Sequence, residues 1–171
     1  ERAGLWERLS RGWIAAVGTD HCDYSLSQKT ATGMFPTTPG GLPGLETMLP
    51  LLYTFGVVEG RIRWPDLVRL CATNPARLFG LYPRKGTLQP GADADLVIYD
   101  PEPEWVLTAA RLHHIAGYTP YEGWTVRGRA RFVLVRGQVV VEEGEFRGVP
   151  GWGRFQAARP AEGWARDASG Q

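Results

Sequence analysis

The sequence is poor in the residues that cross-link or metallate small proteins. Its 171 residues include two cysteines, Cys22 and Cys71, and three histidines, His21, His113 and His114. Two cysteines make no disulfide framework of the secreted kind, so a reducing, cytoplasmic setting is expected. No apolar run approaches the ~20 residues that a membrane span needs. No signal peptide is visible. No block of lysine or arginine stands out either: 19 basic residues meet 18 acidic ones, for a net charge of +1. That balance points to neither a nucleic acid nor a membrane as partner. There is no internal repeat. The chain opens on Glu1, inside helical spacing and without a methionine, and reads as beginning mid-protein or as processed.

What is present is a chain long enough for one good core or two small ones. The 22 glycines and 13 prolines suit many loops and turns rather than a helical bundle. The organising stretch is Gly12 to Cys22. An unbroken apolar run, Trp13 to Val17, ends in Gly18-Thr19-Asp20-His21. Strands buried on both faces read as continuous apolar runs. α/β proteins keep their chemistry just past the ends of such strands. The run therefore predicts a buried strand over 12–19, with Asp20 as a functional carboxylate at its mouth. The structural alternative is an N-cap or loop carboxylate.

Leu5, Trp6 and Leu9 predict a short helix over 1–10. Residues 23–44 show no useful periodicity and carry Gly33, Pro36, Pro39, Gly40, Gly41, Pro43 and Gly44. A loop of that length is expected to be functional or disordered. Helical spacing returns over 46–58, with Pro50 either near the helix start or at a kink. Trp64-Pro65 opens a second helix. Thr73-Asn74-Pro75 reads as a stop and restart, with Asn74 as N-cap and Pro75 as the first residue of a short helix ending at Gly80.

After Gly80 the signals are strands: 85–88, 95–100, 105–107, then 131–136 and 138–141 around Gly137, a hairpin signal. The second half reads as a small β-sandwich with an irregular segment from Leu112 to Gly123. The tail, with Trp152, Phe155 and Trp164, reads as an interface or a frayed end.

The other polar residues have plainer readings. His21, next to Asp20 on an extended chain, points away from it and is read as support or packing rather than as a ligand. Cys22 is a small buried hydrophobe or a pocket-lining residue. Asp93 and Asp95 belong to a turn feeding a strand. His113-His114 supports loop packing, and Glu122 is a loop contact.

Six motifs in one order carry a resemblance: Gly18-Thr19-Asp20-His21-Cys22, Gly40-Gly41-Leu42-Pro43-Gly44-Leu45-Glu46, Thr73-Asn74-Pro75-Ala76-Arg77-Leu78-Phe79-Gly80-Leu81-Tyr82-Pro83, Lys85-Gly86-Thr87-Leu88, Gly91-Ala92-Asp93-Ala94-Asp95-Leu96-Val97 and Tyr118-Thr119-Pro120-Tyr121-Glu122-Gly123. From about residue 12 to about residue 155 the sequence resembles the C-terminal part of the cyclic amidohydrolases, most closely the dihydropyrimidinase/hydantoinase branch.

The resemblance implies an α/β fold. The last strand and helices of a (β/α)8 TIM barrel would fill residues 1–82. Part of a composite β-sandwich domain would fill 83–149. The tail, 150–171, would be a subunit interface or disordered, and the protein a homo-oligomer. The implied activity is metal-dependent hydrolysis of a cyclic amide, the ring opening of a dihydropyrimidine or hydantoin. Asp20 would be both metal ligand and proton acceptor and donor. Backbone groups at Gly40 and Gly41 would hold the substrate.

The implied cofactor is a pair of divalent metal ions, zinc in most of the family, with the other ligands expected upstream of this chain. Residues 1–171 alone are therefore expected to be inactive. Many family members have Asn where this chain has Gly40. The run Gly-Leu-Pro-Gly-Leu-Glu is also similar to the allantoinase and dihydroorotase branches, which stand as alternative activities. A non-catalytic scaffold of the same fold, like the collapsin-response relatives, is a further alternative. A solitary β-sandwich binding module is a weaker one, because a lone parallel strand lacks neighbours and cover.

Overall fold

The computed structural model describes residues 2–31 and 33–158. Glu1, Thr32 and the tail from residue 159 on, Trp164 included, lie outside the described residues. Helices come first and strands after. Helix α1 (Arg2–Ser10) forms where the apolar spacing predicts it. Leu9 is buried and Trp6 packs against the same core, whereas Leu5 stays exposed.

The next stretch departs from expectation. Trp13 to Thr19 runs without a strand ladder. Its backbone is held instead by the helices beneath it. The Val17 N–H donates to the Leu70 carbonyl at 3.2 Å, and the Asn74 side-chain amide donates to the Ala15 carbonyl at 2.6 Å. Ile14 and Val17 pack on the core, while Trp13 is 69% exposed. The reason is the absence of partners. A parallel strand needs neighbours beside it and cover on both faces. Among the described residues the nearest pairing is one isolated parallel bridge, His21 to Leu42.

Residues 23–44 are more ordered than their composition predicts. Helix α2 (Leu26–Thr30) is started by a capping box, in which the Gln28 N–H donates to the Ser25 hydroxyl and the Ser25 N–H donates to the Gln28 side chain. A 3-10 turn follows at Phe35–Thr37. Helix α3 (Met48–Leu52) widens into a π turn at Tyr53–Val58. Pro50 sits in the first turn of α3, where the missing N–H has no helical acceptor to lose.

Helix α4 (Trp64–Val68) opens on Trp64-Pro65 as expected. The expected stop at Asn74-Pro75 does not occur. The chain widens into a π turn at Arg69–Thr73 and continues as helix α5 (Asn74–Leu78). Asn74 has helical dihedrals, φ −69° and ψ −43°, so it is no N-cap. The wider turn relieves the clash that Pro75 would make with the preceding turn and absorbs its missing hydrogen bond. Leu67 and Leu70 are almost wholly buried, and with Leu9, Tyr53 and Ile62 they form the core.

The strands form one antiparallel sheet in chain order: β1 (Leu96–Val106), β2 (Thr125–Val135), β3 (Gln138–Glu142) and β4 (Glu145–Phe146). Residues 105–107 are not a separate strand. Trp105 and Val106 are the end of β1, which runs on through Pro101 and Pro103 at a break in register between Asp100 and Glu104. Prolines are tolerated at such irregularities. The Arg136-Gly137 turn joins β2 to β3, with positive φ at both residues. That is the hairpin geometry whose twist matches the strands.

Residues 85–88 form no strand. Among the described residues no second sheet covers the first, so these residues alone do not build the expected sandwich. Sheet and helices meet at an aromatic cluster: Tyr53 lies 4.7 Å from Trp64 and 5.2 Å from Tyr99 between ring centroids. The hydroxyl of Thr54 accepts from the Arg127 N–H at 2.8 Å and ties the two parts together. Gly128 is buried at this junction with φ 77°, and a Cβ there would fall 2.5 Å from the Tyr99 ring.

Candidate functional site

Asp20 closes the extended stretch. Its φ is 46°, in the left-handed region that a non-glycine residue rarely adopts. Asparagine and aspartate tolerate that region best, and such strain clusters at functional positions. The Asp20 residue is exposed, and no hydrogen bond or ion pair from the described residues engages its carboxylate. The sharp turn at Asp20 directs the chain into His21 and Cys22, which run beside the glycine-rich loop. The Cys22 N–H donates to the Leu42 carbonyl at 3.1 Å. Gly41 lies against Cys22 so tightly that a Cβ would fall 2.4 Å from the sulfur. Its φ of 81° also calls for glycine. Gly40 faces open space. The structure thus brings the loop carrying Gly40 and Gly41 to within two residues of Asp20 along the chain.

Several residues fix this loop that the sequence did not single out. Lys29, on α2, donates from Nζ to the carbonyls of Pro39 at 2.8 Å and Gly41 at 2.6 Å. The signal that could have found α2 was the Ser25-x-x-Gln28 capping box. The Nδ1 of His21 accepts from the N–H groups of Gly44 and Leu45, so His21 supports the loop, as its predicted direction implies.

The irregular segment after β1 comes in from the other side. Glu46 accepts from the His113 N–H at 2.5 Å, and its other oxygen lies 2.7 Å from His113 Nδ1. Asp23 accepts from the Ile115 N–H at 3.1 Å. Tyr118 has a buried hydroxyl with no partner among the described residues. Burial and then the charge of Cys22 push its pKa up, so this hydroxyl stays protonated.

Asp93 and Asp95 do form a turn feeding β1: the Lys85 ammonium binds both carboxylates, and Asp95 also accepts from the Arg136 N–H at 2.8 Å. Glu122 makes a loop contact, accepting from the Ala109 N–H at 2.8 Å. The Trp152 indole donates to the Val135 carbonyl at 3.2 Å beneath the Arg136 guanidinium. Burial pushes the Cys71 thiol up to about 11, which makes it a poor nucleophile at neutral pH.

Two features limit what the described residues can do alone. No group of three His, Cys, Asp or Glu among them is placed to hold a metal ion. A cleft of about 650 Å³, lined by Tyr82, Arg84, Asp93, Arg136 and Phe155 among others, does not include Asp20 or the glycine loop. Asp20 is thus a single unengaged carboxylate rather than part of a complete centre among the described residues.

The amidohydrolase family profile matches residues 1–140. The chain belongs to the amidohydrolase family. Within that family its similarity lies with the hydantoinase/dihydropyrimidinase branch. It is 43% identical to D-phenylhydantoinase from Escherichia coli O1:K1 over 162 residues, covering 94% of this chain and 35% of that protein. The D-hydantoinase (dihydropyrimidinase) structure from Thermus sp. superposes with a TM-score of 0.91 at 41% identity, covering 94% of this chain and 35% of that one. The L-hydantoinase (dihydropyrimidinase) from Arthrobacter aurescens superposes with a TM-score of 0.78 at 40% identity, covering 83% of this chain and 32% of that one.

The chain therefore spans about a third of the length of these amidohydrolase relatives. The family is generally metal-dependent. These neighbours imply the family's barrel-plus-sheet architecture, to which the helices and the antiparallel sheet described above are similar. No helix among the described residues is long and apolar enough to cross a membrane.

Proposed function

We propose that the protein to which this chain belongs opens a cyclic amide ring, of the dihydropyrimidine or hydantoin class, by metal-dependent hydrolysis. The observation that carries this reading is Asp20: a carboxylate held in left-handed backbone geometry, unengaged and beside a glycine loop, in an amidohydrolase chain similar to proteins named hydantoinases. We assign Asp20 as metal ligand and as catalytic acid and base. A carboxylate offers a hard oxygen to a divalent ion and lone pairs to a proton. When bound, two divalent ions, zinc in this reading, would acidify a water from pKa about 15.7 toward roughly 7 and so supply hydroxide at neutral pH.

Asp20 would take the proton of that water and deliver it to the departing ring nitrogen. The backbone of Gly40 and Gly41 would hold the ring amide, which the absence of side chains permits. The remaining ligands would come from the part of the relatives that this chain does not span, so residues 1–171 alone should be inactive. In this reading residues 1–82 end a barrel and 83–149 belong to a composite sheet domain. Residues 150–171 meet a neighbouring subunit of a homo-oligomer, and the protein works in the cytoplasm.

The test is expression of the whole reading frame, with metal analysis and ring-opening assays on dihydrouracil, hydantoin, allantoin and dihydroorotate. Bound zinc with turnover of the first two supports the reading. Turnover of allantoin or dihydroorotate alone moves the substrate class. No metal and no turnover on any ring defeats it in favour of a non-catalytic scaffold.

A further inference from the structure

Behind the Asp20 turn lies a set of buried polar atoms that the proposed chemistry does not use. The Nδ1 of His21 accepts from the Gly44 N–H at 3.1 Å and from the Leu45 N–H at 3.2 Å. A ring nitrogen that accepts carries no proton, so His21 is the tautomer with its proton on Nε2. The ring of His114 stands 6.1 Å from that of His21, tilted by 58°.

The His114 side chain is 7% exposed, and neither of its ring nitrogens has a hydrogen-bond partner among the described residues. Its Nδ1 lies 3.7 Å from Asp23 Oδ1, which is also buried and without a partner. The second oxygen of Asp23 is already committed to the Ile115 N–H. Native proteins rarely leave such atoms unpaired, because the unmade bond carries the full desolvation cost. Closing the Asp23–His114 gap by about 0.8 Å gives an ordinary N–H···O bond.

One proton arrangement pairs the two orphaned groups. His114 donates from Nδ1 to Asp23, and its ring stands beside that of His21. His21 then accepts, as it does in the structure, from Gly44 and Leu45. We propose that Asp23 and His114 are positioning residues that brace the His21 ring from behind and, through its two backbone contacts, hold the glycine loop in its substrate-binding shape. Glu46 steadies the same segment one residue away, through His113. This inference rests on the reading that the loop carrying Gly40 and Gly41 holds substrate.

The test uses the whole metal-loaded protein and the variants His114→Phe, His114→Asn and Asp23→Asn. Asparagine keeps a donor for Asp23 while phenylalanine removes it. Amide exchange, resolved by mass spectrometry at the peptide spanning 40–46, reads the loop directly. His114→Phe should speed exchange at Gly44 and Leu45 about tenfold. KM for ring opening should rise about tenfold while kcat stays within about threefold. His114→Asn should recover part of both effects.

If His114→Phe does not fold, Asp23→Asn carries the same expectations. Unchanged exchange and KM in the folded variants overturn the proposal. So does a loss confined to kcat, or a complete failure of His114→Asn to recover. If the wild-type protein opens none of the rings, the substrate reading fails. The exchange result then decides the positioning role alone: faster exchange supports it and unchanged exchange overturns it.

Discussion

Trp13–Val17 and Val133–Val135 are both runs of apolar residues, yet only the second is a strand. Val133 and Leu134 pair with Val97 and Leu96 on one side and with Val141 and Val139 on the other, so every neighbour they need lies within the chain. Trp13–Val17 finds two helix carbonyls, those of Arg8 and Leu70, and one asparagine amide, and stays extended without a ladder. Strand character is therefore a property of the partners as much as of the residues. The same contrast separates function from stability. The self-sufficient sheet carries packing and ion pairs, while the unpartnered stretch carries the exposed carboxylate.

The sharpest way to break this comparison is Asp20→Asn in the whole protein. Ring-opening kcat should fall by about a thousandfold or more while the unfolding midpoint stays within about 1 °C of wild type, since the carboxylate contacts nothing that holds the fold. A large loss of stability would show that Asp20 serves structure instead.

Next comes the stretch itself. Amide exchange over residues 13–19 should be at least about a hundredfold slower in the whole protein than in residues 1–171, while β2 exchanges alike in both. Equal exchange over 13–19 would mean that no strand partners exist elsewhere in the protein.

Gly128→Ala tests the self-sufficient half. The added Cβ would meet the Tyr99 and Tyr53 rings at a residue with φ 77°. Overpacking and left-handed strain together should cost about 3 kcal/mol, read from denaturant unfolding.

The smallest effect is expected at Lys85→Met, which removes the cation shared by Asp93 and Asp95. The hydrogen bond from Lys85 holds the Asp93 carboxyl below its ordinary pKa of 3.8. Desolvation pulls Lys85 down, but the hydrogen bonds and charges of the two aspartates outweigh it and hold the ammonium above its ordinary 10.5. The depressed carboxyl stabilises the fold above its ordinary pKa, and that contribution is lost as pH falls through the folded value. The raised ammonium stabilises the fold below its ordinary pKa, and that contribution is lost as pH rises through the folded value. Wild type should thus exceed the variant at neutral pH and converge with it at both extremes, in unfolding midpoints measured across pH. A constant gap at all pH values would mean that packing of the lysine stem is what matters.

Much of the architecture was legible. Helix α1, the helix opening at Trp64-Pro65, and the Gly137 hairpin follow from local signals: apolar spacing, the proline at a helix start, and a turn residue between β-branched runs. Each needs only residues a few positions apart. Three expectations failed for a common reason. The break at Asn74-Pro75, the separate strand at 105–107 and the strand at 12–19 were all read from local residues, but longer-range contacts decide them. A π turn carries the helix through Pro75, partner strands carry β1 past Pro101 and Pro103, and missing partners leave 12–19 unladdered.

In the candidate site, Asp20, Gly40 and Gly41 could be named from their motifs. Lys29 and Asp23 could not, nor could the partners of Glu46 and His114, because these contacts span between 10 and 92 positions along the chain.

By itself, then, the sequence determined where several helices and turns begin, and the family, because ordered motifs and local sterics are written in neighbouring residues. Only the tertiary structure decided that Asp20 sits unengaged at a left-handed turn, that His21 accepts from the Gly44 and Leu45 N–H groups, and that the apolar stretch before it remains without a sheet. Each of these depends on which distant groups fill, or fail to fill, the space around it.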